Sequence, residues 1–202
     1  MTEPGIARIL VASLHQGISD VLPARLEFYE NWLNPDGLRL GTIGVAPVLA
    51  VLSFLRQEGA AYDQVTRRAG ECAAEWTVAA QSPSRRSLRQ SAPLWLRSRA
   101  AMRLARRTIL TMHSGHTVRM RLRRGQGTLD VGDSIFCVVR APSPAPLCTF
   151  HAAAVSRLLD LYSVPGTVTL DRCRALGDPS CQISVALHAA RAARVLSVTS
   201  TK

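Results

Sequence analysis

The sequence predicts an α+β fold: N-terminal helices followed by an antiparallel sheet of about four strands, with a helix between two hairpins. Three observations carry this. Apolar residues recur at helical spacing as far as Met112. The period then drops to two over His116 to Arg123. Beyond that point, short apolar runs alternate with Gly- and Pro-marked turns, interrupted by one compact helical stretch. The reading places one domain over 1–188, mainly helical over 6–112 and sheet-forming over 113–188, with 189–202 as a flexible tail.

Residues 6–33 carry Ile6, Leu10, Leu14 and Ile18, then Leu22, Leu26, Tyr29 and Leu33, which is helical spacing with a restart at Pro23. The breadth of that stripe, with Trp32 and Tyr29 on it, predicts a homodimer contact. Asn34-Pro35-Asp36-Gly37 is a turn. A second helix runs from about Ala46, with Pro47 in its first turn, to Arg56, and Gly59 stops it. A third reaches from Ala60 to Ala80, and a fourth from about Arg85 to Met112 is interrupted at Pro93. In the first strand Val118, Met120 and Leu122 take one face and Arg119, Arg121 and Arg123 the other. Gly125-Gln126-Gly127 makes a hairpin, and Thr128 to Arg140 continues as strand with a break at Gly132. A proline-rich loop, 141–146, leads to an amphipathic helix over Cys148 to Tyr162, then strands over Thr167 to Arg174 and Cys181 to Leu187.

Composition bounds the class. Nearly half the residues (47%) are apolar but only 5% aromatic, so Ala, Leu and Val must fill most of a core. The longest apolar run, Val45 to Leu55, is too short to span a bilayer, and the start, MTEPG, lacks a basic n-region. A cytoplasmic protein with reduced thiols is expected, and five cysteines, an odd count, argue against a closed disulfide framework. Net charge is +11, yet no acidic residue falls between Glu75 and Asp130, where twelve arginines do. Segment 85–124 therefore holds nearly all the basicity, as a solvated face or a docking surface for an acidic protein partner. Aromatic interleaving and nucleic-acid motifs are missing from it, which argues against nucleic acid.

The stretch "DRCRALGDPSC" (171–181) sets Cys173 and Cys181 eight apart across Gly177-Asp178-Pro179. With its surroundings, "CTFHAAAVSRLLDLYSVPGTVTLDRCRALGDPSCQISV" (148–185), it resembles the C-terminal signature of the four-vinyl-reductase (4-vinyl reductase) domain family. That family takes in a bacteriochlorophyll-synthesis protein, hydrocarbon-binding proteins and sensor domains of aromatic-responsive activators. The resemblance implies a fold related to transport protein particle subunits, usually dimeric, enclosing an apolar pocket. It also implies a structural zinc held by a cysteine on the preceding helix, a glutamate three residues before the first paired cysteine, and the cysteine pair. Cys148, Cys173 and Cys181 match, but Leu170 stands at the glutamate's position. His151, one helical turn from Cys148, is the candidate fourth ligand, with Asp171 as another donor nearby. Reduced core thiols, or a redox pair of Cys173 and Cys181, are the competing readings. Cys72 and Cys137 fall on core-facing patterns.

His113 and His116 flank a turn beside the first strand, at a spacing that suits the iron or magnesium of a bound tetrapyrrole, and Trp76 and Trp95 complete the candidate ligand-pocket residues. The chain shows no phosphate-binding glycine loop, nucleophile elbow, nicotinamide fingerprint or paired carboxylates, so no catalytic residue is assigned. The leading function is non-enzymatic: binding of a hydrophobic small molecule (tetrapyrrole, aromatic or lipid-like) as carrier, accessory or sensor. The alternatives are a bacteriochlorophyll-pathway vinyl reductase or its accessory subunit, and a regulator that binds anionic membrane or nucleic acid through 85–124.

Overall fold

The computed structural model describes residues 6–33, 44–82, 91–113, 115, 117–139 and 143–188. Six α-helices, α1 (Arg8–Val21), α2 (Leu26–Leu33), α3 (Val45–Gln57), α4 (Ala60–Ala79), α5 (Leu94–Met112) and α6 (Thr149–Leu161), accompany four strands, β1 (Thr117–Arg123), β2 (Gln126–Gly132), β3 (Gly166–Arg172) and β4 (Cys181–Leu187). The strands form one antiparallel sheet in the order β1-β2-β4-β3. The α+β expectation holds. The expected turn at 34–37, the helical stretch 85–90, His116 and the tail 189–202 fall outside the described residues.

Helix α4 lies between α1 and α6, and small residues let it do so. A Cβ on Gly17 of α1 would stand 2.6 Å from the Val65 carbonyl oxygen, and one on Gly70 of α4 would collide with the carbonyl oxygen of Phe150 in α6. Both faces of α4 are therefore buried, with Val65, Ala69 and Ala73 joined by Thr66, Gly70 and Ala74. The Leu10, Leu14 and Ile18 stripe is spent on α4 inside the chain. That corrects the reason given for a dimer contact on this stripe: what remains outward is Phe28 and Trp32, in ring contact with Phe54 of α3.

One sheet face is apolar and covered by α5 and α6. Gly127, Leu129 and Val131 of β2 register with Val185, Ile183 and Cys181 of β4, and all six are buried. The other face carries Arg119, Arg121, Thr128, Gln182 and Ser184. The hairpin turn is Arg124-Gly125 rather than Gly125-Gln126-Gly127; both residues have positive φ (48° and 79°), the backbone of a two-residue turn that matches strand twist. The strand expected to reach Arg140 ends at Gly132. Asp133 takes φ 42° and Ile135–Cys137 form a 3-10 turn, which swings the chain off the sheet.

Candidate functional site: a four-thiol cage beside a groove

Four elements deliver a sulfur each to one point. The 3-10 turn after β2 brings Cys137, the residue before α6 brings Cys148, the end of β3 brings Cys173, and the start of β4 brings Cys181. The four Sγ atoms all lie within 4.8 Å of one another and all four residues are buried. Cys148 and Cys181 stand 2.8 Å apart, and Cys137 stands 2.9, 3.4 and 3.5 Å from Cys148, Cys173 and Cys181. These separations exceed the ~2.05 Å of a disulfide. They fall short, by about 1 Å for the closest pairs, of the roughly 3.8 Å between sulfurs of a tetrahedral zinc tetrathiolate with bonds of ~2.3 Å, so the sulfurs must move apart to take the ion.

The sequence reading gave the fourth corner to His151; the structure gives it to Cys137. His151 is buried behind the cage, its Nε2 3.0 Å from the Ser134 hydroxyl, with its ring edge-on to Phe136 and Phe150. Ser134 in turn accepts a long contact, 3.8 Å, from the Cys148 thiol, so Ser134 links His151 to the cage. Asp171 is turned to the other face of the sheet, where it accepts hydrogen bonds from Thr169 and Ser184. Leu170, at the position where the resemblance calls for glutamate, lines a groove instead. Cys137 was read as a core residue because the strand containing it was taken to run on to Arg140. The available signal was Gly132-Asp133-Ser134, a strand-breaking triplet directly upstream.

The polar surroundings favour thiolates. Backbone N–H groups point at two of the sulfurs: Leu147 N–H donates to Cys173 at 3.4 Å and Arg174 N–H to Cys181 at 3.5 Å. The loop that positions the pair is fixed by Gly177 at φ 100° and by the Asp178 carboxylate, which accepts from the Cys173 N–H at 2.9 Å. Within the group, hydrogen bonds from neighbouring thiols, Cys148 foremost, hold the Cys137 thiol below its ordinary range, and those from Cys137 foremost do the same for Cys173. Cys148 and Cys181 are pushed up, in each case chiefly by Cys137. Adjacent sulfurs thus bias one another's titration in opposite directions. Soft sulfur donors, a buried position and backbone N–H support fit a structural zinc, and an opening of the cage admits the ion.

Alongside the cage runs a groove of about 710 Å³. Its walls are the end of α3 (Arg56, Gly59), the start of α4 (Ala60, Tyr62, Asp63, Arg67), the segment Ser143 to Leu147, Thr149 and Ala152 of α6, and Leu170 of β3. The segment is tied down at three points. Ser143 N–H donates to the Ala175 carbonyl at 2.7 Å, the Tyr62 hydroxyl donates to the Leu147 carbonyl at 3.0 Å, and the Thr149 hydroxyl donates to Asp63 at 2.6 Å. Burial pushes the Tyr62 phenol far up, with Arg56 opposing, so it stays protonated and donates.

The other residues singled out in the sequence lie elsewhere. Trp76 is partly exposed on α4, and Trp95 is exposed at the start of α5 with the Arg99 guanidinium 5.8 Å from its ring centroid. His113 is half-buried, bridged to Ile6, and its Nδ1 accepts from the Gly115 N–H at 3.2 Å. Burial lowers its pKa. No imidazole lines the groove, so it offers a tetrapyrrole no histidine ligand from the described residues. Arg99, Arg103 and Arg107 follow one another at i,i+4 along the exposed side of α5, Arg119, Arg121 and Arg123 lie exposed on β1, and none is in an ion pair among the described residues. No described helix is long and apolar enough to cross a membrane.

No family model matches the chain, and no curated protein matches it. Solved structures do. The chain has the fold of H-NOX domains. An H-NOX domain from Shewanella oneidensis in the Fe(II)CO ligation state is 12% identical with a TM-score of 0.56, covering 91% of this chain and 99% of that one. An unliganded Fe(II) H-NOX protein, a mutant from K. algicida, is 10% identical with a TM-score of 0.55, covering 92% and 98%. The phenol-responsive sensory domain of the transcription activator PoxR, solved with phenol, is 16% identical over 71% of this chain and 74% of that one, with a TM-score of 0.46.

Proposed function

We propose that this chain is a non-enzymatic binding module of the four-vinyl-reductase type, in which the groove beside the thiol cage holds a hydrophobic small molecule. The observation that carries the reading is the groove itself: about 710 Å³, half of its lining residues being prolines, alanines and leucines. An H-NOX-like fold is consistent with a sensor, since the similar structures are ligand-binding domains whose iron was caught in different ligation states. In this reading Cys137, Cys148, Cys173 and Cys181 hold a structural zinc. The ion would join the start of α6 to the β3–β4 loop, and four protein ligands leave it no open position for chemistry. The basic face of α5 and β1 is the docking surface for an acidic partner.

The test is titration with Nile red, a neutral fluorescent probe, against the wild type and Ala152→Trp, which fills the groove from α6. Saturable binding to the wild type, weakened about tenfold or more by the filling variant, is expected. No binding to the wild type, or equal binding to a folded Ala152→Trp protein, refutes the reading.

A further inference from the structure

We propose that the groove takes an apolar molecule bearing one carboxylate, and that Arg56 holds the carboxylate. This rests on reading the groove as a ligand site. Arg56 lies in the last turn of α3 and lines the groove, yet its Nε and Nη2 atoms are buried without a hydrogen-bond partner among the described residues. A guanidinium edge withdrawn from water with no acceptor is destabilising, and an acceptor from a bound molecule relieves that. The Nε–Nη2 edge is one that grips a carboxylate through two parallel N–H···O bonds.

The neighbouring charges are already committed. Asp63 accepts from Arg67 at 2.8 Å and from Thr149 at 2.6 Å. Glu58, two residues beyond Arg56, accepts from Arg25 and from Tyr29. Tyr62 is no counter-ion, because its hydroxyl keeps its proton for Leu147. Arg56, Asp63 and Arg67 are the charged lining residues, so the groove carries one positive charge in excess. The N-terminus of α4 borders the same groove, but Ala61 and Tyr62 N–H already donate to the Glu58 and Gly59 carbonyls and Asp63 stands in its first turn, so Arg56 rather than the helix end is the anion holder. One unmatched cation calls for one negative charge. A dianionic phosphate would leave a surplus charge against Pro144, Pro146, Leu147 and Leu170.

The experiment compares dodecanoate with 1-dodecanol, below their aggregation limits, as competitors of Nile red on the full chain, with native mass spectrometry to count bound molecules. The two probes share a chain length and differ in charge. Dodecanoate is expected to bind the wild type about tenfold or more tightly than dodecanol. Arg56→Gln should bring the two within about twofold of each other, and Arg56→Lys should restore part of the preference because it keeps charge but not the fork. Equal affinities on the wild type overturn the proposal without recourse to any variant, as does a preference that survives in Arg56→Gln. If Nile red binds and Ala152→Trp blocks it while dodecanoate does not compete, the carboxylate assignment fails and the groove stands. If Nile red itself does not bind, both fail.

Discussion

Replacing Cys137 with serine should separate a four-cysteine site from one completed by His151. Cys137 touches the other three sulfurs at 2.9, 3.4 and 3.5 Å, whereas His151 reaches none of them and meets Ser134. Structural zinc sites bind with an apparent free energy of about 10–16 kcal/mol. Removing one of four comparable ligands therefore costs roughly 3 kcal/mol, or about two orders of magnitude in affinity. Because metal bound only to the folded state stabilises it by mass action, the melting temperature in zinc should fall by about 10 °C for a chain of this length. With a chelator present, Cys137→Ser and wild type should melt within a few degrees of each other, since sulfur and oxygen differ little in size. His151→Ala should behave differently. It leaves the buried Ser134 hydroxyl without its ring partner, a loss of about 1–2 kcal/mol that is the same with zinc and with chelator.

The assay is a competition titration against a zinc-binding dye, with cobalt substitution to read the number of thiolates from the charge-transfer band. One tight equivalent in the wild type and in His151→Ala, with a four-thiolate cobalt spectrum, is expected. If Cys137→Ser keeps one tight equivalent and His151→Ala loses it, the assignment of the fourth corner is refuted. If the wild type takes up no metal at all, the cage is a cluster of packed thiols and the zinc proposal fails outright.

Other consequences are equally direct. Gly70→Ala should destabilise the protein by about 1–3 kcal/mol, because a Cβ there meets the Phe150 carbonyl and α4 must shift from α6; an unchanged denaturation midpoint would show that the helices are not that close. Asp20 accepts from Arg68 at 2.6 Å, which holds its carboxyl below the ordinary value of 3.8. Its contribution is thus present above about pH 4 and is lost as pH falls through the folded-state pKa. Asp20→Asn should lower stability at pH 7 by no more than about 1 kcal/mol, since the pair is part-exposed, and by nothing in strong acid; a loss that persists in acid contradicts the electrostatic account. Reversing charge at Arg103, Arg107 and Arg121 should weaken binding to a polyanion such as heparin several-fold without moving the melting temperature, and unaltered binding would place the basic docking face elsewhere.

The helices and strands were legible where one face of an element is buried and the other is wet. The alternation of Val118, Met120 and Leu122 with arginines, and the run from Cys181 to Leu187, announce half-buried strands, and both are found there. Legibility ended where the backbone leaves regular structure. Asp133 adopts a left-handed conformation that a pattern of apolar residues does not encode, and that single bend moves Cys137 from an expected strand to the cage. The pairing of Cys173 with Cys181 was legible in their spacing and the turn between them, whereas the approach of Cys148 rested on the resemblance of 148–185 to the four-vinyl-reductase signature. His151 was misplaced because one helical turn from Cys148 is close in sequence, yet on α6 it carries the ring into a slot between Phe136 and Phe150. The stripe of α1 was real, but α4 covers it; the alanines and Gly70 on α4 give little hydrophobic signal while permitting close helix contacts.

The cage and the groove share a segment, and this decides what the fold can do with a ligand. Leu147 uses both of its backbone groups: its carbonyl accepts from Tyr62 in the groove wall, and its N–H donates to Cys173 in the cage. Ser143, four residues earlier, is tied to Ala175 in the turn that follows Cys173. If the sulfurs are pulled into a fixed tetrahedron, the wall from Ser143 to Thr149 is fixed with them, and the groove keeps its shape before any ligand arrives. If they are released, Cys173 no longer anchors Leu147, and the ligand must order that wall as it binds. A bound ligand and a bound metal therefore favour the same arrangement, and whatever factor one contributes to the other's affinity must be returned in equal measure.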